Sequence, residues 1–531
     1  MTLQTPSDAE KEATANALIS AAQRLREIGR PSSEYAMLAE AARLAPTSHV
    51  LKAFYWAALR AHDHDAAAGV MSRLTELLGT DARSQEWLEK GQQSLRNRVS
   101  LGNRVSHDQI AARLATRRAC SFTPVPGRIC YVLHNTQPYA SGGYATRAQG
   151  VALGLKAAGY DPICIARPGF PVDLSKSEHT KIPLGTEIDG IPYRFTLEPS
   201  RRETSGKEYI EQSASVLVKI FQEVKPSIVM AASNYLTSLP AQFAARELGI
   251  PFIYEVRGFW EVTRISREPE YQFTKQYEEL VMFESLSAGD ADHVFTLTTP
   301  MKEELVARGV DAGKITLLPN SCVPERFTPR PRMAALAQKL DIPAETPVIG
   351  YIGTFVQYEG LEHLAEACGI LADRGLDFRL LLIGNENVSG TDRGPITEAI
   401  MKIAEEKGIS SRLIMPGRVP HEEVEAYYSL IDIAPFPRKP QPVTEMVSPM
   451  KPLEALAMEK AVIVSSVRAM SEMIQNEETG LVFEKGNVSA LADALERLIA
   501  NPDLRQKFGK AGRAWVQRER SWEPEVRQQI G

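Results

Sequence analysis

One stretch of the chain gathers residue types suited to holding a charged leaving group: Glu445-Met446-Val447-Ser448-Pro449-Met450-Lys451-Pro452-Leu453-Glu454. Lys451, with Arg438 upstream, supplies cations that neutralise a diphosphate. Glu454 offers two carboxylate oxygens to the hydroxyls of a ribose. The start of a helix at PLEALAM points N–H groups toward an anion, and Pro452 is tolerated near its first turn. The alternative for Glu454 is an acidic first turn favoured by the helix dipole. Two glycine turns complete the candidate set. Ser141-Gly142-Gly143-Tyr144 follows a predicted strand and precedes a helix, and Gly350-Tyr351-Ile352-Gly353-Thr354 follows another predicted strand. Glycine lets the backbone approach a phosphate there, or simply satisfies the turn.

The elements that must position these residues follow from the patterning. From Pro124–Gly127 onward, short β-branched runs alternate with helical stretches: RICYVLH, DPICIAR, PSIVMAAS, PFIYEV, ADHVFTLT and KITLLPN. After the Pro-rich linker CVPERFTPRPRM the alternation restarts with PVIGYIGTF, FRLLLIG, RLIMPG, DIAPFP, AVIVSS and GLVFEKG. Strand–helix–strand alternation implies parallel sheets with helices on both faces. The expected fold class is therefore α/β: two doubly wound, Rossmann-like domains facing a cleft, preceded by an all-helical domain. The boundaries read as 1–122 (helical extension), 123–322 (first sheet domain), 323–505 (second sheet domain) and 506–531 (terminal helices crossing back to the first sheet domain). Ligands of open α/β sheets sit at the carboxyl ends of strands, so facing sheets can share one site.

Within 1–122 a weak repeat at an offset of 34 relates Leu25 to Leu59, Met37 to Met71 and Leu44 to Leu78. It resembles a tetratricopeptide helix–turn–helix period. Two units fit a docking surface for a partner or self-association, or a plain bundle packed on its neighbour. The basic run with Arg96, Arg98, Arg104, Arg113, Arg117 and Arg118 suits anionic headgroups, an acidic partner or a solvated face.

Composition narrows the classes. The 531 residues carry a net charge of −5, which disfavours a basic nucleic-acid binder. The five cysteines form no CxxC, which argues against a disulfide framework or zinc knuckle and fits a reducing cytoplasm. No signal sequence or membrane-spanning run is read, leaving at most peripheral contact with the inner membrane surface. Asp290-Ala291-Asp292 reads as a strand start rather than a metal site, and His62-Asp63-His64-Asp65 as a solvated turn. No HExxH, GxSxG or GxxxxGK[ST] occurs.

The order and spacing of the motifs resemble the retaining family-4 glycosyltransferases of GT-B architecture over roughly residues 127–525. The resemblance is carried by the early GG loop and by ADHVFTLTTPMKEELVARGV, GYIGTF, LLLIGN, IMPGRVPHEEVEAYYSLIDIAPFP and PMKPLEALAMEKAVIVSS. It implies metal-independent, cofactor-free transfer of a sugar from a nucleotide-sugar, UDP before GDP, to a saccharide or lipid-linked acceptor in surface polysaccharide or glycolipid synthesis. It puts the acceptor on the first sheet domain and the nucleotide-sugar on the second. It further implies that Glu454 holds the ribose and that Pro452 and Leu453 meet the phosphates. By the same resemblance Glu445 lies near the donor sugar, Arg418 and Val419 flank the base, and Gly142 and Gly143 face the diphosphate and acceptor. Gly353 and Thr354 are expected to hold the diphosphate through their amides, with Arg438, Lys439 and Lys451 as the cations. The sequence departs from the family in three places. Glu445 and Glu454 are one residue further apart than usual. Thr354 and Glu359 stand where the family carries Arg and Lys. Arg257 stands where many members have His, and either contacts the sugar or phosphate or pairs with Glu255 or Glu261. His134 faces the cleft or is a satisfied loop histidine. A rival reading is a catalytically silent module docking a partner through its extension.

Overall fold

The computed structural model describes residues 6–530 except 62, 102–106, 141, 175–181, 203, 205, 387–392 and 421–422, with backbone alone at 96–101. His62, Ser141 and Arg104, and the side chains of Arg96 and Arg98, lie outside the described residues.

The chain opens with helices Asp8–Glu27, Pro31–Leu44, Ser48–Arg60, His64–Leu77, Ala82–Leu101 and His107–Ala115. Ser7 and Glu10 start the first with a capping box. Leu38, Leu51, Tyr55, Val70 and Leu74 form a core of their own. Two helical hairpins follow one another; their second helices begin at Pro31 and His64 and end at Leu44 and Leu77, one residue short of the 34-residue offset. Helix His107–Ala115 leaves this bundle and buries Ile110 and Leu114 against Ile210, Leu239 and Phe243 of the next domain.

The first sheet has eight strands: β1 Val125–Leu133, β2 Asp161–Ala166, β3 Gly185–Ile188, β4 Ile191–Arg194, β5 Pro226–Ala232, β6 Phe252–Val256, β7 His293–Thr296 and β8 Ile315–Leu317. Their order is β3-β4-β2-β1-β5-β6-β7-β8. All neighbours run parallel except the β3–β4 hairpin. Helices cover both faces, which is why Ile129–Leu133 is a continuous buried run rather than an alternating one. The second sheet comprises β9 Val348–Ile352, β10 Arg379–Ile383, β11 Leu413–Gly417, β12 Ile433–Phe436, β13 Ala461–Ser465 and β14 Gly480–Phe483, ordered β11-β10-β9-β12-β13-β14. Chain direction across each sheet reverses once, between β1 and β5 and between β9 and β12. Such switch points open a crevice at the strands' carboxyl ends. The loops after β1, β9 and β12 carry Gly142-Gly143, Gly353-Thr354 and Arg438.

The last helix, Trp522–Ile530, returns to the first sheet domain and lies on helix Gly143–Ala157. A Cβ at Gly150 would fall 2.1 Å from Trp522 Nε1, and one at Gly154 2.7 Å from Val526 Cγ2. Where the chain crosses back, Cys322 N donates to Arg520 O (2.9 Å), so the two inter-domain crossings run side by side. Among the described residues no helix is long and apolar enough to cross a membrane.

Candidate functional site

A cavity of about 510 Å³ lies between the facing ends of the two sheets. Its first wall begins at Gly142 and Gly143, where a helix starts without a side-chain cap. The amides of Gly143 and Tyr144 have no partner among the described residues, as the first turn of a helix leaves them. One turn on, Arg147 points into a buried cluster. Glu255 on β6 and Arg257 just beyond it are two residues apart on extended chain, so they share a face. Arg147 Nε donates to Glu255 Oε1 (2.8 Å), and Arg257 Nη2 donates to Glu255 Oε2 (2.8 Å) and to the Tyr131 hydroxyl. Tyr131 in turn donates to Glu255. Arg147 also reaches the carbonyls of Leu318 (2.7 Å) and Pro319 (3.1 Å) and the Asn320 side chain (3.0 Å). Burial alone would raise the Glu255 pKa, but Arg257 and Arg147 hold it at about 2. The ion pair that Arg257 makes is thus with Glu255; Glu261 pairs instead with Arg308 at 2.7 Å. Arg257 still lines the cavity.

The second wall repeats the pattern with different parts. Glu359 is 2 % exposed, and Arg438 grips it through Nη2 (2.7 Å) and Nε (3.2 Å). Lys451 stands 3.8 Å from Glu359 and donates to the Tyr351 hydroxyl (2.6 Å). Burial would raise the Glu359 pKa, yet Arg438 and Lys451 bring it to about 2. Lys451 is lowered by burial, with Glu359 opposing. Glu359 is thus the carboxylate that gathers Arg438 and Lys451. Gly353 makes this approach feasible. Its φ is +155°, and a Cβ there would fall 2.1 Å from Lys451 Cε. Glu454 also lines the cavity, within 3.5 Å of the Tyr428 hydroxyl, and burial pushes its pKa up to about 7.

Of the expected residues, Gly142, Gly143, Arg257, Gly353, Thr354, Arg418, Val419, Arg438, Lys451 and Glu454 all line this one cavity. Five others need correction. Glu445 is not part of the lining. The short helix Pro442–Met446 turns its carboxylate toward Lys485 Nζ (2.6 Å) and the amide of Arg468 (2.9 Å). Pro452 and Leu453 are buried behind Lys451, and the Leu453 amide donates to Met450 O (3.0 Å). The Gly353 amide likewise donates to Ile383 O (2.8 Å), whereas that of Thr354 has no partner among the described residues. His134 is buried behind the first wall. Its Nδ1 lies 3.0 Å from Thr237 Oγ1, its ring meets Trp260 edge-on at 4.9 Å, and burial lowers its pKa well below the usual range. Lys439 pairs with Glu362. Asp290 and Asp292 clasp Arg246 at 3.2 and 2.7 Å, and among the described residues no cluster suited to a metal occurs. Sequence reasoning missed Arg147 and named Glu255 only as one of two alternative partners of Arg257; a partner 108 positions away leaves no local signal. It also left unassigned the role of Glu359, which it read only as a missing cation.

Comparison with known proteins agrees with this geometry. Residues 142–321 match the family described as Glycosyl transferase 4-like domain, and residues 333–515 match Glycosyl transferases group 1. A GDP-mannose-dependent α-(1-6)-phosphatidylinositol monomannoside mannosyltransferase of Mycobacterium tuberculosis is 26 % identical over 238 residues, 44 % of this chain and 60 % of the relative. The capsular polysaccharide biosynthesis glycosyltransferase CapM of Staphylococcus aureus is 24 % identical over 314 residues, 57 % of this chain and 74 % of that protein. The match thus spans 60 % of the mycobacterial relative's own length. Among solved structures, sucrose-phosphate synthase from Thermosynechococcus elongatus superposes with a TM-score of 0.60 at 22 % identity, over 76 % of this chain and 96 % of that one. Anabaena HepE in complex with UDP gives 0.57 at 15 % identity, over 76 % and 98 %.

Proposed function

We propose that the chain, whose two sheet domains match the Glycosyl transferase 4-like and Glycosyl transferases group 1 families and share the GT-B fold, moves a sugar from a nucleotide-sugar to an acceptor hydroxyl with retained configuration. The observation that carries this reading is the single cavity in which both glycine loops, the Arg438–Glu359–Lys451 cluster and Glu454 converge. Lys451 and Arg438 face the leaving diphosphate, joined by the amides of Thr354, Gly143 and Tyr144. Preorganised donors in a water-poor site stabilise developing charge most effectively. These cations do the neutralising work, so the reading needs neither a metal ion nor a cofactor. Glu454 accepts hydrogen bonds from the ribose, and Arg418 and Val419 flank the base, for which UDP is the first choice and GDP the second.

Of the two carboxylates lining the second wall, Glu359 is locked between cations and Glu454 sits on the ribose side. Neither serves as a base at the sugar. We therefore assign that role to the leaving phosphate. The bond from the anomeric carbon to the phosphate oxygen breaks, the bond to the acceptor oxygen forms on the same face, and the acceptor proton passes to the phosphate. The acceptor lies on the first wall and is a saccharide or a lipid-linked sugar. Support for that class comes from relatives named for capsular polysaccharide and phosphatidylinositol mannoside synthesis. A cytoplasmic enzyme at the inner membrane surface fits such acceptors.

Thermal unfolding with UDP, GDP, ADP and TDP tests this function. A nucleotide at ~100 times its Kd adds about 2.7 kcal/mol to the folded state. One nucleotide is expected to act, and Glu454→Ala to abolish its effect. No shift with any of the four at millimolar concentration favours a silent binding module, for which the carboxylate at Glu359 is the motivating observation.

A further inference from the structure

Besides the packing of helix His107–Ala115 on the first sheet domain, the first helices of the extension hold one segment of that domain, residues 258–274. That segment holds a short helix, Trp260–Ile265, and a turn, Pro269–Phe273. Ser32 Oγ donates to Glu268 Oε2 (2.8 Å), Ser33 Oγ donates to Glu270 Oε2 (2.7 Å), and Arg30 Nη1 donates to Arg267 O (2.5 Å). Just past the segment, Lys275 pairs with Asp65 at 3.0 Å. Serines at a helix start ordinarily cap their own helix. Here the helix Pro31–Leu44 has no side-chain cap, and Ser32 and Ser33, 4 % and 6 % exposed, are given to carboxylates of another domain. Arg264 secures the same turn from within, holding Glu268 at 3.1 Å and covering Tyr271 at 4.0 Å.

The inner side of the segment meets both walls of the cavity. Trp260 abuts His134, and Arg308 lies over Phe259 at 3.9 Å while holding Glu261. Phe259 and Val262 share a hydrophobic cluster with Val443, Met446 and Val447 of the second sheet domain. A Cβ at Gly258 would stand 3.5 Å from both the Tyr144 hydroxyl and Val447. Residue 257, immediately before, is the arginine that lines the cavity.

We propose that the extension is a positioning arm of the site. Ser32, Ser33 and Arg30 hold residues 258–274 as a saddle that completes the acceptor-side wall and seats the second sheet domain against it. Its occupant is this chain's own saddle, not a separate protein. The consequence for catalysis rests on the glycosyltransferase reading; the coupling itself does not.

Hydrogen exchange on the full chain tests the coupling in the parent, Ser32→Ala/Ser33→Ala, Glu268→Gln/Glu270→Gln and the hydroxyl-retaining Ser32→Thr/Ser33→Thr. In the Ala and Gln pairs exchange over 258–274 is expected to accelerate about tenfold while β1, β13 and the extension's own helices keep parental rates. The Thr pair is expected to restore protection. With UDP or GDP added, the parent is expected to gain protection over 258–266 and 443–447 together, and the Ala pair to lose that gain while keeping it near Lys451. Unchanged exchange over 258–274, acceleration of the whole chain, or acceleration confined to residues 8–115 would each overturn the proposal. If no nucleotide protects the parent's cavity, the glycosyltransferase reading fails, and the ligand-free exchange still decides the role of the arm.

Discussion

Both walls of the cavity place one buried carboxylate between two cations, yet they are built to different ends. Around Glu255 both partners are arginines whose side chains are 3 % exposed, and most of their remaining donors run to carbonyls, Asn320 and Tyr131. Around Glu359 one partner is Arg438, but the other is a lysine 24 % exposed, 3.8 Å away and held by a single tyrosine hydroxyl. A planar guanidinium commits to fixed geometry, whereas an ammonium on a flexible stem re-aims readily. The first wall is a scaffold; the second keeps a charge in reserve for an incoming anion.

The sharpest way to break that comparison is Glu255→Gln. It strands two buried guanidiniums and is expected to lower the unfolding free energy by about 3–5 kcal/mol, measured by urea denaturation. A loss under about 1 kcal/mol would deny the first wall its scaffold role.

Glu454 offers a pH test of the second wall. Its folded pKa of about 7 lies above the ordinary 4.5, so the fold holds its proton more tightly than the unfolded chain does. The associated stability is present below pH 4.5 and is lost as pH rises through 7. Glu454→Gln is therefore expected to match the parent at pH 4 and exceed it at pH 8 by at most ~3 kcal/mol. Ribose hydroxyls favour the charged form, so nucleotide binding should release a proton near pH 6.5, visible as a buffer-dependent heat in calorimetry. No dependence on buffer would remove Glu454 from the ribose.

Lys451→Met sharpens the contrast in binding. Nucleotide affinity is expected to fall by about 1.5–3 kcal/mol by titration calorimetry, the range for a hydrogen bond to a charged group, with little change in thermal stability. Equal losses in both would make Lys451 as structural as Arg147.

The smallest effect is expected at Glu445, whose partner Lys485 is 37 % exposed. Glu445→Gln should cost about 0–1 kcal/mol of stability and leave nucleotide affinity within about twofold. A tenfold loss of donor turnover would instead require the helix Pro442–Met446 to rotate its carboxylate into the cavity during the reaction.

What the sequence disclosed follows range of interaction. Both parallel sheets were legible, because buried strands are written as local apolar runs such as PVIGYI and AVIVSS. The β3–β4 hairpin went unread although Asp189-Gly190 announces it, with φ values of 51° and 75° that suit a tight two-residue turn. Glycine turns and the helix start Lys451–Glu454 were found because backbone demands fall on adjacent residues. Arg147, Arg438 and Glu268 lie tens to hundreds of positions from their partners Glu255, Glu359 and Ser32, and pairing at that distance leaves no periodic trace. Glu445 shows the converse: a motif resemblance suggested a role despite the unusual spacing to Glu454, and the short helix Pro442–Met446 turns its carboxylate to Lys485 instead.

The paired crossings at Cys322 and Arg520 have a mechanical meaning. A single tether would let the two halves drift apart in any direction. Two strands pinned side by side by a backbone hydrogen bond leave them free to swing but not to slide. Any swing of one half on the other would then pivot on this pair of strands, and the same pivot would carry Lys451 back toward Gly143.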